Sequence, residues 1–242
     1  MSGIMQLNMS HKPVGAAAPV TGAQLVLDLD AADYSAVPVN GSTIAGTGAY
    51  PITVLNPNSR ISWSSDSGGL FRVSTASTQD MLIFGPDFSS STQAYTVGMA
   101  YKWNGATAGR LLNANTASPD FLMGLWGSGT CRMNIAFAGT FTGLNSTLAD
   151  TAWHFIWFTC TGTVSGTRSK KYIATSVTPT LNSSAGTNTG FNGLRLFGRF
   201  SNSTTSVEPV DADVGFVKLW NGELNLAEVQ AQHAFYKTRF GY

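Results

Sequence analysis

The chain reads as an all-β protein: a two-sheet antiparallel sandwich of the jelly-roll type, with one short C-terminal α-helix. Three observations predict it. Strand-like runs, alternating with a period of two or apolar on both faces, recur at short intervals from residue 24 to residue 220. Gly, Ser, Asn and Pro turns break the chain between them, and no stretch before Asn221 keeps a helical period. The final segment then switches, once, to an amphipathic helix with its own capping signals.

Length and composition allow one large β domain. At 242 residues the chain can bury a full core. Charged residues make up 11% and hydrophobic ones 43%, with Gly, Ser, Thr and Asn filling the gap. An aromatic share of 11% and a net charge of +1 exclude a disordered chain. Fourteen basic residues against 13 acidic ones supply no counterion-release term of the size nucleic-acid binding needs, so no such partner is expected. The basic cluster RSKK (168–171) reads as a solvated strand edge that discourages pairing. No window of ~18 apolar residues exists, so no membrane insertion is expected. The opening MSGIMQLNMSHKPVG lacks the basic start and apolar run of a secretion signal, which points to synthesis in a cytoplasm without export. Cys131 and Cys160 stand in strand-like apolar runs with no CxxC and no paired His, and read as buried thiols; a disulfide between neighbouring strands stays open.

The elements follow in order. Residues 1–23 form an aperiodic Gly/Ala/Pro-containing arm, expected to be ordered by packing on a neighbouring subunit, and 24–242 form a single domain. In QLVLDLDA the alternation puts Leu25, Leu27 and Leu29 on one face and Val26, Asp28 and Asp30 on the other. RISWSSD, residues 70–74 and DMLIFG continue the strands. YTVGMAYKW is the clearest: Tyr95, Val97, Met99, Tyr101 and Trp103 share a face. FLMGLW and CRMNIAF, joined by the GSG turn at 127–129, read as a hairpin. WHFIWFTC is apolar on both faces and therefore central; KKYIATS, GLRLFGR and DVGFVKLW complete the set.

The closing helix is specified locally. Asn225 is a natural N-cap and Glu228 three residues on completes a reciprocal capping box. Leu224 and Val229 are placed as a hydrophobic staple. Leu226, Val229, His233, Tyr236 and Phe240 recur at spacings of 3, 4, 3 and 4 as one apolar stripe, Lys237 and Arg239 complement the helix dipole, and Gly241 stops the helix. A short amphipathic helix on an all-β body covers part of the sandwich.

These segments together resemble a family. LVLDLDAADY is similar to the first strand of concanavalin A-like, laminin-G-like jelly rolls, YTVGMAYKW to an early core strand, and TAWHFIWFTCTG to the W-H-apolar-apolar strand. DVGFVKLWNGELNLAEVQAQHAFYKTRFGY is similar to the family's ending, a strand running into a leucine, an (N/S)-x-x-E cap and a short helix. The match runs in order from residue 24 to 242; IATS after Tyr172 departs from the family's D-G turn, and 40–59 has no counterpart. Chains of this kind with a non-repetitive N-terminal arm resemble bacteriophage virion proteins: capsid decorations, head fibres, tail fibres and adhesins. The resemblance therefore implies a virion location, partners that are further copies of itself and other virion proteins, and host cell-surface glycans as the contacted surface.

Chemistry was sought within that frame. Glucanases of the superfamily use an E-x-D-x-x-E carboxylate set, and hydrolysis needs two carboxyl groups about 5 to 10 Å apart. No such motif exists here; Asp28, Asp30 and Asp33 mimic the spacing from the opening strand, where a structural role is expected. There is no G-x-S-x-G elbow. His11, His154 and His233 are scattered, and His154 reads as a strand histidine. Loop EPVDAD offers Glu208, Asp211 and Asp213 as a candidate calcium set, with a turn before the next strand as the plain alternative. Trp103-Asn104-Gly105, Trp126-Gly127 and Trp220-Asn221-Gly222 each put an aromatic at a strand end leading into a turn. Trp103, Asn104, Trp126, Trp220 and Asn221 are thus the candidate carbohydrate contacts, against core plugs. The leading reading is a non-enzymatic phage structural protein, assembled as a homo-oligomer through its arm. A dedicated lectin or receptor-binding module stands second, and a polysaccharide hydrolase last.

Overall fold

The computed structural model describes residues 22–36, 39–44, 52–73, 81–88, 94–104, 109–114, 121–125, 133–137, 140–141, 151–160, 169–173, 176–182, 191–197, 199–202, 205–207 and 211–240. In chain order the strands are β1 (Leu25–Asp30), β2 (Thr43–Ile44), β3 (Ile52–Leu55), β4 (Ile61–Ser64), β5 (Leu70–Val73), β6 (Met81–Phe88), β7 (Tyr95–Trp103), β8 (Gly109–Ala114) and β9 (Phe121–Leu125). They continue with β10 (Met133–Phe137), β11 (Thr140–Phe141), β12 (Trp153–Cys160), β13 (Ser169–Ile173), β14 (Ser176–Asn182), β15 (Phe191–Leu196), β16 (Arg199–Asn202), β17 (Thr205–Val207) and β18 (Ala212–Trp220). Helix α1 (Leu226–Lys237) follows, and short 3-10 turns occupy Ala31–Asp33, Asp66–Gly68 and Thr238–Phe240.

Two eight-stranded antiparallel sheets result. The first runs β14-β13-β12-β7-β18-β5-β4, with β1 also paired to β18; the second runs β11-β10-β9-β8-β15-β6-β3-β2, and β16 with β17 makes a small ribbon. The expected jelly-roll sandwich is the fold observed. The hairpin expected around the GSG turn is present as β9 and β10, in register from Leu125–Met133 to Phe121–Phe137, while the turn lies outside the described residues.

The inner faces of the sheets bury one continuous core. Tyr95, Val97, Met99, Tyr101 and Trp103 of β7 share it with Ile156 and Phe158 of β12 and with Ile52, Val54, Leu194 and Leu196 of the second sheet. The alternation read from YTVGMAYKW is therefore correct. In β1 the alternation fails at one point. A register irregularity between Leu25 and Leu27 turns Leu25 to the outer face and lets Val26 pack on the core, so only Leu27 and Leu29 keep the expected inward set.

A second apolar layer explains why WHFIWFTC is apolar on both sides. Phe155 and Trp157 on the outer face of β12 join Ala100, Phe216, Trp220 and Leu70, and α1 closes over them with Val229 and Tyr236, followed by Phe240 of the 3-10 turn. Tyr236 stacks on Phe216 at 4.0 Å between ring centroids. The closing helix is the lid the sequence implied. Both capping-box bonds form: Asn225 Oδ1 accepts from the Glu228 N–H at 3.0 Å, and Glu228 Oε2 from the Asn225 N–H at 2.7 Å. Leu224 and Val229 are buried together, as the staple requires. The stripe itself is rotated from expectation. Leu226 is exposed and Gln232 is buried in its place, because the sheet takes the 229-232-236-240 ridge.

Two glycines set these contacts. A Cβ on Gly98 would sit 2.1 Å from Cζ3 of Trp157, and one on Gly215 would sit 2.2 Å from Cζ of Phe240. Gly215 also marks the irregularity in β18, where Val214 and Phe216 bracket a register shift. Ala212 and Val214 face the inter-sheet core before it; Val217 and Leu219 do so after it, which sends Phe216 and Trp220 under the helix. The basic cluster is placed differently from expectation. Ser169–Ile173 is β13, paired to β12 on one side and β14 on the other, so Lys170 and Lys171 belong to an internal strand and not to a sheet edge.

Candidate functional site

At one end of the first sheet's outer face, polar and charged side chains replace the apolar ones that pack under the helix. Register brings a row of side chains across that end: Ser62 on β4 opposite Arg72 on β5, Arg72 opposite Asp213 on β18, Asp213 opposite Lys102 on β7, and Lys102 opposite Trp153 on β12. At about 4.8 Å per strand the row spans roughly 19 Å. Each member faces outward because its neighbours in the strand fill the core: Phe71 and Val73 flank Arg72, Ala212 and Val214 flank Asp213, and Tyr101 and Trp103 flank Lys102.

Asp213 is the centre of the row. It is 2% exposed and takes a two-point grip from Arg72, Nε to Oδ1 at 2.7 Å and Nη2 to Oδ2 at 3.1 Å. Asn104 Nδ2 donates to the same Oδ1 at 2.9 Å, and the Asn104 N–H donates to the Asp211 carbonyl at 3.0 Å. The hydrogen bond and charge of Asp213 hold the Arg72 guanidinium above its ordinary value. Burial, then the charge of Asp213, pushes the Asp211 carboxyl up, against the opposing pull of Asn104 and Arg72. Arg72 still has a side chain 45% exposed, and Asp66, 65% exposed, lies 3.7 Å from its Nη2. Among the described residues Lys102 has no carboxylate partner. Trp153 is half-buried, with Phe240 against it at 4.4 Å. The row thus offers a partly open indole, a free ammonium, an exposed guanidinium edge and the exposed Asn104 at a sandwich rim.

The candidate residues separate into three groups. Asn104, Asp211 and Asp213 are brought together here. Trp103 and Trp220 are each 1% exposed: Trp103 lies edge-on to Tyr101 in the inter-sheet core, and Trp220 packs 5.9 Å from Trp157 under the helix. Neither ring presents a face to a ligand; both are core plugs, which corrects their assignment as sugar platforms. Asn221 ties the chain to itself, donating its N–H to the Gln24 carbonyl at 3.0 Å and accepting the Gln24 N–H on Oδ1 at 2.7 Å. Trp126 and Glu208 lie outside the described residues, as do Cys131 and the side chain of Cys160.

Of the candidate calcium set, Glu208 lies outside the described residues and Asp213 is already held. Both oxygens of Asp213 are engaged by Arg72, so an ion would have to displace a guanidinium. Among the described residues no group of three or more His, Cys, Asp or Glu side chains is arranged to hold a metal. The carboxylates of the opening strand are also engaged. Asp28 pairs with Lys218 at 2.7 Å, and Asp30 pairs with Arg239 and accepts the Ala32 N–H at 3.0 Å. His154 is buried beside the Tyr101 ring at 5.7 Å, and His233 is edge-on to Phe155 at 5.0 Å, too far apart in the fold to cooperate: one faces the inter-sheet core, the other the helix layer.

Arg72, Lys102 and Trp153 went unnoticed in the sequence. Each strand's parity was readable, yet the lateral order β5-β18-β7-β12 that aligns them joins segments far apart in the chain.

In sequence the chain matches no protein-family model and no curated protein. In structure it is similar to a Trypanosoma rangeli sialidase in complex with sialic acid, with a TM-score of 0.62 and 13% identity, over 98% of this chain and 37% of that one. It is also similar to the botulinum neurotoxin serotype D binding domain, with a TM-score of 0.59 and 10% identity over 88% of this chain and 51% of the other. The botulinum neurotoxin type G receptor binding domain gives a TM-score of 0.59 and 10% identity over 87% and 51%. The chain spans well under two thirds of each of these proteins. The likeness defines the fold class: an antiparallel two-sheet β-sandwich.

Proposed function

We propose that the chain is a non-catalytic attachment module that holds a neutral oligosaccharide along the Arg72–Asp213–Lys102–Trp153 row. The observation that carries this reading is the row itself: a half-buried aromatic ring in line with fixed donors and acceptors at one end of the outer face. An indole supplies an apolar face for a sugar ring, and Lys102, Asn104 and Asp211 supply directed hydrogen bonds to hydroxyls. A neutral ligand suits the charge balance: Arg72 is neutralised by Asp213, and Lys102 stands in a site that also holds the Asp211 and Asp66 carboxyls. Asp28, Asp30 and Asp213 are each occupied as ion-pair partners, which supports attachment over hydrolysis at those three positions. Sialic acid and receptor binding, named for the similar structures, agree with a recognition role and are properties of those proteins.

The setting we propose is a bacteriophage virion, with copies associating through residues 1–23 and the row facing host glycans. Its support is the resemblance of the sequence, and cofractionation with assembled particles tests it. A glycan array probed with the full chain tests the binding reading. One or more neutral oligosaccharides should be retained, and Trp153→Ala or Lys102→Ala should weaken retention by about tenfold or more while the fold persists. An array without retained glycans, or retention indifferent to both substitutions, refutes it.

A further inference from the structure

We infer that the C-terminal turn Thr238–Phe240 is a clasp that positions this row, an inference that rests on reading the row as a binding surface. The turn reaches the row by two separate routes. Arg239 is the first. Its Nε donates to the Ser67 carbonyl at 2.8 Å, its Nη2 to the Gly69 carbonyl at 2.6 Å, and its Nη1 pairs with Asp30. Ser67 lies within the 3-10 turn Asp66–Gly68 and Gly69 caps it, and the first residue of that turn is the Asp66 that stands beside Arg72. The turn carries one strained residue, Ser67 at φ 49°, and it packs tightly: a Cβ on Gly69 would lie 2.5 Å from the Ala31 carbonyl oxygen. Arg239 therefore fixes the segment that presents Asp66 to Arg72.

Phe240 is the second route. It is buried in the space Gly215 leaves free, 5.5 Å from Phe155 and 4.4 Å from Trp153, and the Arg239 guanidinium lies 4.8 Å from its ring centre. Phe240 thereby sets how far the Trp153 indole leans toward Lys102. Gly215 is itself the point at which β18 changes face, one residue past Val214 and two past Asp213. Arg239 and Phe240 are positioning residues. They hold the two ends of the row, Arg72 and Trp153, and touch no ligand.

The test is hydrogen exchange on the full chain, wild type against Arg239→Gln and Phe240→Leu. Losing the charged hydrogen bonds of Arg239 should speed exchange at residues 66–72 by about tenfold or more, and Phe240→Leu should do so at residues 151–154, with the central β7–β18 ladder unchanged. Lactose, chitobiose and maltose serve as binding probes, and both variants should weaken whichever disaccharide the wild type binds by about tenfold. Should a variant fail to fold, the wild type alone decides: by reciprocity, the bound disaccharide must slow exchange at residues 236–240. Exchange unchanged at both segments overturns the clasp, as does loosened exchange with undiminished disaccharide affinity. A wild type that binds no sugar on the array or among these probes defeats the functional reading, while the exchange rates still decide whether the turn holds the rim.

Discussion

The buried Asp28–Lys218 pair gives the sharpest test of how the helix layer is built. The two residues face each other in register across β1 and β18, with Nζ 2.7 Å from Oδ1 and side chains 0% and 7% exposed. The Lys218 ammonium also lies 5.4 Å from the centre of the Tyr236 ring. At the 2.7 Å of the ion pair an effective dielectric near 20 gives a gross attraction of about 6 kcal/mol, most of which offsets the desolvation of two ions. Removing one partner leaves that desolvation uncompensated. Asp28→Asn should therefore destabilise the chain by about 3–5 kcal/mol, read as a lower midpoint in urea unfolding with an unchanged slope. Replacing both, as Asp28→Leu with Lys218→Met, should recover most of the loss, because apolar groups of similar size suit the Phe216–Trp220 surroundings. A single substitution costing under about 1 kcal/mol, or a double variant no more stable than the single, would refute the picture of two desolvated charges sustaining each other.

Three further expectations follow from the same layer. Gly98→Ala drives a methyl into the Trp157 ring and should cost about 3 kcal/mol or more in chemical unfolding, whereas Gly22→Ala, with open space around it, should cost only its backbone strain. Asn225→Ala breaks the capping box and should cost about 1 kcal/mol, with faster exchange confined to the first turn of α1. Burial, then the charge of Lys237, holds the His233 imidazole below its ordinary value of 6.5. The unfolded chain then binds the extra proton, so stability is complete above about pH 6.5 and declines as the pH falls through the folded value; His233→Phe should flatten that decline in pH-dependent thermal unfolding.

Much of the fold was legible because it is written locally. A period of two in 95–103, apolar faces on both sides of 153–160 and the Asn225/Glu228 pair each specify an element without reference to the rest of the chain. What failed were the places where one element answers to another. Leu25 and Leu226 are exchanged for Val26 and Gln232 through a strand irregularity and a rotated helix ridge, both set by the surface they pack on. The buried fates of Trp103 and Trp220 were weighed as core plugs, but only the second apolar layer decides them. The site was the least legible part. Asp213 and Asn104 are separate loop features in the sequence, and their direct hydrogen bond, on a carboxylate also held by Arg72 141 residues away, comes only from strand order.

The scarcity of charge makes its placement informative. In a chain with 11% charged residues, three ion pairs between distant segments among the described residues, Asp28–Lys218, Arg72–Asp213 and Asp30–Arg239, all involve the outer face of one sheet. Two of them join residues directly opposed across β18, to β1 and to β5. A slip of one residue in either pairing would turn a carboxylate or an ammonium into the inter-sheet core, where Leu27, Leu29, Val217 and Val214 now sit, and would strand its partner under the helix. Such a slip would forfeit several kcal/mol per buried charge, far more than any loss of alternation among similar apolar side chains. The pairs thus fix the register of the strands that flank β18, and β18 in turn carries the irregularity that aims Phe216 and Trp220 at the helix while leaving Asp213 at the rim.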